Sequence, residues 1–362
     1  MDFDLAAVSQ GFVLPGKYVS AVRFGTGHIN DTFKMKTDAG SFILQRINTS
    51  IFREPEKLMD NFTKVSNHIA RKIEAEKSAD PACRRRYLQT IYSAKKEPFF
   101  IDDAGNFWRC YVFVDQARTY DVLENAEQAF AAAKAFGGFQ NDLADLPDRL
   151  LETIANFHNT PSRLADLEKA IDLDVCDRCK EASAEIDFIM ARKKEYSLLL
   201  DELAAGNIFE RTTHNDTKLN NVLIDDVTGD GICVIDLDTV MPGLPHYDFG
   251  DMVRTGTSPA PEDELDLSKV GMRFEMFEAL LRGFLSSAGN FLNPAEKELL
   301  PFAGKLITLE IGIRFLTDYL SGDVYFKTAR KNHNLDRCRT QLKLASSIEA
   351  QFDAMRRLND SL

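Results

Sequence analysis

The stretch from Thr212 to Asp251 constrains this chain more than any other. It reads TTHNDTKLNNVLIDDVTGDGICVIDLDTVMPGLPHYDFGD. Its first part gathers His214, Asp216, Lys218, Asn220 and Asn221. Its second part is an apolar run, Ile232-Cys233-Val234-Ile235, which reads as a strand and delivers Asp236 and Asp238. A tight loop followed by a hairpin ending in carboxylates has the parts that phosphoryl transfer from ATP requires. One carboxylate must orient and deprotonate the attacking hydroxyl, while an amide and a second carboxylate hold Mg²⁺ against the phosphates. The step from Asp216 to Asn221 is that of the catalytic pattern H-R-D-x-x-x-x-N. Lys218 stands two residues after the Asp, so one loop aims a carboxylate, an ammonium and an amide into one cleft. The plainer reading is that Asn and Asp here only mark turns and caps. The β-run ending in Asp-x-Asp directly afterwards favours the chemical one.

Composition sets the outer bounds. The chain has 362 residues, 44% of them hydrophobic and 28% charged, enough for one large or two medium domains with a sizeable core. A net charge of -12 argues against a nucleic acid as main partner. The opening MDFDLAAVSQ is acidic and short of apolar length, so no signal peptide is expected. No apolar stretch of about 18 residues offers a membrane span. Six scattered cysteines fit reduced thiols and a cytoplasmic protein.

In chain order, residues 2–14 read as a short helix ended by Pro15-Gly16. Strands at 19–24, 32–37 and 41–47 form an antiparallel meander with a turn at Asp38-Ala39-Gly40. Between the first two lies Gly25-Thr26-Gly27-His28, a Gly-x-Gly whose backbone can approach phosphates closely, or which is simply turn chemistry. His28 lines the acceptor side of the cleft or is a solvated loop residue. The third strand should carry a cation for the α- and β-phosphates, as V-A-I-K does. Gln45 stands there instead, with Arg46 next, and alternation puts the two on opposite faces. Gln45 is expected to face the cleft.

A helix is expected at 54–73, with Asn61 towards the cleft or on the surface. Arg84-Arg85-Arg86 reads as a solvated face. A hairpin joins 99–101 to 107–114, after which the β-pattern stops. The boundary between an N-terminal lobe (1–115) and a helical C-terminal lobe (116–362) is placed there, with extended backbone near Val114 reading an adenine edge. Helices are expected at 126–143, 150–158, 163–170, 181–205, 271–288, 294–320 and 335–358. Asp248 and Asp251 are expected to cap a helix at 250–255, with Arg254 pairing nearby. Arg314 and Asp318 are i,i+4 partners, a surface ion pair on one reading. On the other, Arg314 and Tyr325 line a polar substrate pocket.

With these residues laid out, the chain resembles the aminoglycoside phosphotransferase and choline kinase superfamily, at His214, Asp216, Asn221 and Asp236. Within it the chain is most similar to the N-acetylhexosamine 1-kinases of bifidobacterial type. The similar stretches are GHIN (27–30), FILQRINTSIF (42–52), ANFHNTPSR (155–163), THNDTKLNNVLID (213–225), IDLDTVMPG (235–243), DFGD (248–251), DLSKV (266–270) and RFLTDYLSGDVYF (314–326). The resemblance implies an α+β, protein-kinase-like two-lobed fold, with a small antiparallel sheet in one lobe and helices in the other. It implies Asp216 as catalytic base, Asn221 and Asp236 as Mg²⁺ ligands and Lys218 on the γ-phosphate. Arg314 and Tyr325 become sugar contacts, with His28 a further one. Gly25, Gly27, Gln45 and Val114 complete the ATP site. ATP is then the co-substrate, Mg²⁺ the cofactor and a small sugar the partner.

Two further readings stay open. The same chemistry serves another small acceptor, such as homoserine, choline or an aminoglycoside, or a catalytically inactive kinase-like module binds a nucleotide. A metal-binding regulator built on Cys176 and Cys179 would need ligands that do not follow nearby.

Overall fold

The structure is a computed structural model that describes residues 3–25, 29–76, 81–120 and 122–362. A short helix α1 (Leu5–Ser9) precedes a meander of β1 (Tyr18–Arg23), β2 (Asp31–Thr37) and β3 (Gly40–Arg46). Helix α2 (Pro55–Ala75) follows. Next come β4 (Thr90–Ile91), β5 (Phe100–Ile101) and β6 (Phe107–Val112). Every pairing is antiparallel, in the order β1-β2-β3-β6-β4, with β5 on β6. Strand periodicity divides this sheet into two faces. Phe33, Met35, Phe42, Leu44, Trp108 and Cys110 pack together on the outer face with Val8 and Phe12 from the N-terminal segment. Thr32, Ile43, Gln45, Arg109 and Tyr111 alternate with them. Helix α2 begins with Pro55, which suits the first helical turn, and buries Leu58, Phe62, Val65 and Ile69. The first helix is shorter than the 2–14 span expected, because Phe12 leaves it to bridge Ser93.

Beyond β7 (Ala117–Arg118) the chain is mostly helical: α3 (Ala126–Asp142), α4 (Thr160–Leu173), α5 (Ser183–Met190) and α6 (Leu198–Ala204). Strands β8 (Arg211–Thr213), β9 (Val222–Asp225), β10 (Gly231–Val234) and β11 (Met241–Gly243) interrupt before α7 (Pro245–Gly256), α8 (Phe274–Ala288), α9 (Pro294–Glu298), α10 (Leu300–Leu320) and α11 (His333–Asp360). β7, β9 and β10 make one small sheet, and β8 pairs with β11. Helix α10 is apolar on nearly all sides and buried accordingly. Among the described residues no helix is long and apolar enough to cross a membrane, and all six cysteines are unpaired.

Several expectations need correction. Residues 150–158 form turns, not a helix. Leu151 gives both main-chain groups to the Asn61 side chain, and Asn156 takes a φ of 54°. Asn61 therefore faces neither cleft nor solvent; it ties α2 to residues 151 and 240. The long helix expected at 181–205 is two helices joined by a 3₁₀ turn at Lys193–Glu195. Arg85 is no solvated charge. It donates to the carbonyls of Asp115 and Gln116 and pairs with Asp225, fastening the segment after β6 to the end of β9.

Candidate active site

The β8–β11 ladder sets Thr213 opposite Met241, so the loop that starts at His214 lies beside the segment that carries Asp236. Gly243 makes this close approach: a Cβ there would lie 2.3 Å from Thr213 Oγ1. Asn215 then turns the chain with a φ of 65°. The turn is held from all sides. Asp248 accepts the His214 and Asn215 amides at 2.9 and 2.7 Å, and Gln140 donates to the same carboxylate. Thr239 Oγ1 donates to His214 O at 2.7 Å. His158 Nε2 donates to Asn215 O at 3.0 Å, and its Nδ1 donates to Glu310 at 2.8 Å. Both His158 nitrogens face oxygen atoms, an arrangement that favours the imidazolium beside a Glu310 carboxylate. Burial works against that charge, but Glu310 outweighs it and raises the pKa. His214 is different. Its Nε2 donates to Ile235 O and its Nδ1 accepts the Asp216 amide, the pattern of a neutral ring.

On this frame Asp216, Lys218, Asn221 and Asp236 come together. Burial pushes the Asp216 pKa up, yet the Lys218 ammonium at 2.8 Å, with Arg254 further off, leaves it lowered. Asp216 is thus ionised, the state in which a carboxylate can accept a proton. Asn221 Nδ2 donates to Asp216 O at 2.8 Å. Asp236 has a φ of 58°, an uncommon conformation for a residue with a Cβ. Burial and the charges of Asp238 and Asp216 push its carboxyl up to about 6. Gln45 is buried on the face of β3 that it shares with Arg109 of β6. Arg46 points the other way, pairs with Asp31 at 2.5 Å and lies over Phe3. Gly25 ends β1 with a φ of 79° and open space where a Cβ would stand. Val114 is buried just past β6. Gly27 and His28 lie outside the described residues.

The model of the phosphotransferase enzyme family matches residues 20–271, a span that includes every residue of this constellation. The chain belongs to the phosphotransferase enzyme family. Solved structures share its fold along nearly the full length. An aminoglycoside phosphotransferase from Alicyclobacillus acidocaldarius matches with a TM-score of 0.62 at 11% identity, over 98% of this chain and 96% of that one. A spectinomycin phosphotransferase solved with ADP and spectinomycin matches at 0.53 and 11%, over 93% and 94%. A choline/ethanolamine kinase family protein from Mesorhizobium loti matches at 0.51 and 16%, over 98% and 97%. The fold of this phosphotransferase is the protein-kinase-like α+β fold, with an antiparallel-sheet N-terminal lobe and a helical C-terminal region.

Arg314 is one helical turn beyond Glu310 on α10, on the face turned to the catalytic loop. It does not pair with Asp318. That carboxylate instead accepts the amides of Val324, Tyr325 and Phe326 at 2.7 to 2.9 Å, and so closes the turn after α10. Arg314 stacks among Phe157, Tyr325 and Phe326, with its guanidinium 5.6 to 5.9 Å from the three rings. Phe157 adjoins His158, whose ring bonds to the residue before Asp216. Tyr325 is 68% exposed at the rim. Asp248 lies inside α7, and its acceptors serve the catalytic loop, so it does not cap the helix as expected. Asp251 pairs with Arg254 at 2.8 Å.

The donor set suits Mg²⁺. Asp236 and Asn221 could supply oxygen ligands, and a carboxylate crowded by two others would gain from a divalent cation. Among the described residues no three or more His, Cys, Asp or Glu are placed to hold one ion together, so phosphate oxygens and water would complete an octahedral shell. Sequence reasoning missed Arg109, and the partnership of His158 with Glu310. A charged residue between Trp108 and Cys110 in an apolar strand was the available signal for the first. Nothing local links residues 158 and 310.

Proposed function

We propose that this phosphotransferase is an ATP- and Mg²⁺-dependent kinase that phosphorylates the anomeric hydroxyl of N-acetylhexosamines such as GlcNAc and GalNAc. The observation that carries the acceptor class is Arg314 among its three rings beside the catalytic turn. A cation on that wall opposes cationic acceptors and offers donors to sugar or amide oxygens, while flat rings suit sugar faces. Asp216 is the base. It is ionised and next to a cation, which suffices for an anomeric hydroxyl, more acidic than an ordinary alcohol. Lys218 meets the transferred phosphoryl group, Gly25 and Gln45 meet the phosphates, and the backbone at Val114 reads the adenine. Tyr325 closes over the sugar. Asn221 and Asp236 hold Mg²⁺, which when bound neutralises phosphate charge. Positioning and charge stabilisation supply most of the acceleration. The cleft lies between residues 1–115 and 116–362, in a cytoplasmic protein.

The test is transfer from ATP and Mg²⁺ to a panel of GlcNAc, GalNAc, glucose, homoserine, choline and kanamycin. The phosphate position is read by ³¹P–¹H NMR. An anomeric phosphate on the N-acetylhexosamines is the expected product. Transfer to a non-sugar would discard the acceptor assignment and keep the Asp216 chemistry.

A further inference from the structure

The cleft lacks the lysine that a kinase of this fold places on its third strand. Gln45 occupies that register, and directly opposite it on β6 is Arg109. The Arg109 side chain is only 2% exposed. Its Nε and Nη2 donate to Gln45 Oε1 at 2.8 and 2.5 Å, and its Nη1 donates to Asp238 Oδ1 at 2.5 Å. The Phe62 ring of α2 lies 4.9 Å from the guanidinium. Asp238 Oδ2 in turn accepts from Asn30 Nδ2 at 2.6 Å, where the glycine-bearing hairpin enters β2.

This network fixes the Gln45 amide. Turning it over would put its NH₂ group against a guanidinium, donor against donor, so Oε1 must face Arg109. Nε2 then points away from Arg109, towards β2. One of its hydrogens goes to Thr32 Oγ1 at 2.8 Å, and among the described residues the second has no acceptor. We infer that Gln45 and Arg109 together replace the strand-three lysine. Gln45 Nε2 is the donor to the α- or β-phosphate, and Arg109 is the positioning residue that aims and polarises it, anchored by Asp238. Lysine is absent at position 45 because a second cation there would face the buried guanidinium. The inference rests on reading the cleft as an ATP site and adds the source of its missing charge.

The test compares adenosine with ADP by titration calorimetry in excess Mg²⁺, on the intact chain and with no acceptor present. In the wild type ADP binds more tightly than adenosine. Arg109→Met and Gln45→Leu should each weaken ADP about tenfold, the loss of a charge-assisted hydrogen bond, with adenosine held within about twofold. Gln45→Leu leaves the Arg109–Asp238 pair intact, and unchanged adenosine affinity in both variants shows that the fold survives. Gln45→Lys should weaken ADP as well. In the double variant Gln45→Lys/Arg109→Met the lysine gains Asp238 as partner, and ADP affinity should recover. A parallel fall of adenosine and ADP, or an unchanged ratio in Gln45→Leu, overturns the inference. A wild type that does not prefer ADP over adenosine overturns the ATP-site reading beneath it.

Discussion

Around Asp216, all four main-chain polar groups of His214 and Asn215 are bonded to side chains drawn from α7, the 3₁₀ turn after Asp236 and the segment before α4. Around Tyr325 one carboxylate, Asp318, takes three successive amides, and the side chains of Val324 and Tyr325 stay exposed. The first arrangement places a reacting group with little freedom. The second places a wall that can be re-faced without disturbing the chemistry. Distributed in this way, rate and selectivity become separable by mutation, and the separation can be tested.

The largest effect belongs to the base. Asp216→Asn keeps the shape of the loop and removes the proton acceptor, so kcat should fall about 10³-fold while ADP affinity, measured by calorimetry, stays near wild type. Near-normal turnover would refute the assignment. Next is the carboxylate that holds the loop. Asp248→Ala leaves two buried amides unsatisfied, which should cost about 3 kcal/mol of stability in urea unfolding. The turn loosens, so kcat should fall with it. If stability drops and kcat does not, the placement of Asp216 is less dependent on this frame than its bonds imply.

The His158–Glu310 pair gives a pH signature. The His158 pKa is raised from 6.5, so its contribution is complete below that value and is lost as pH rises through the folded pKa. The Glu310 pKa is lowered from 4.5: burial alone would raise it, and His158 more than reverses that. Its contribution is present above 4.5 and lost as pH falls through the folded pKa. The pair therefore stabilises most between about pH 4.5 and 6.5, the ordinary values of its two members. Glu310→Gln should show its largest deficit there, about 3 kcal/mol, with the gap to wild type narrowing on both sides. A deficit that does not vary with pH would mean that the pair is not ionised.

The two regions differ in how far the sequence alone reveals them. Asp216, Asn221 and Asp236 are close in sequence, and short spacing forces them into one cleft. The meander is readable because period-2 alternation in Phe42–Arg46 survives in the folded sheet and separates Gln45 from Arg46 as expected. Where long-range bonds decide, local pattern fails. Residues 150–158 carry helical spacing, but Asn61 takes both backbone groups of Leu151 from 90 residues away. Asp318 is an i,i+4 neighbour of Arg314, yet three unsatisfied amides in the following turn compete better for a carboxylate than one guanidinium does. Asp248 suits a helix start by residue type, whereas its partners lie 33 and 34 residues upstream.

The smallest expected effect bears most directly on the comparison. Asp318→Ala frees the turn of Val324 to Phe326. Those residues border solvent, and water can take over part of the lost bonding, so stability should drop by only about 1 kcal/mol. Tyr325 and Phe326 would no longer be fixed beside Arg314. The acceptor KM should rise about fivefold, within the range of one lost contact, with kcat and the ATP KM within about twofold. Such a split would show that the rim selects and the buried loop reacts. A kcat that falls as far as the acceptor affinity would show instead that the rim helps to aim the hydroxyl at Asp216, and the two regions would have to be treated as one device.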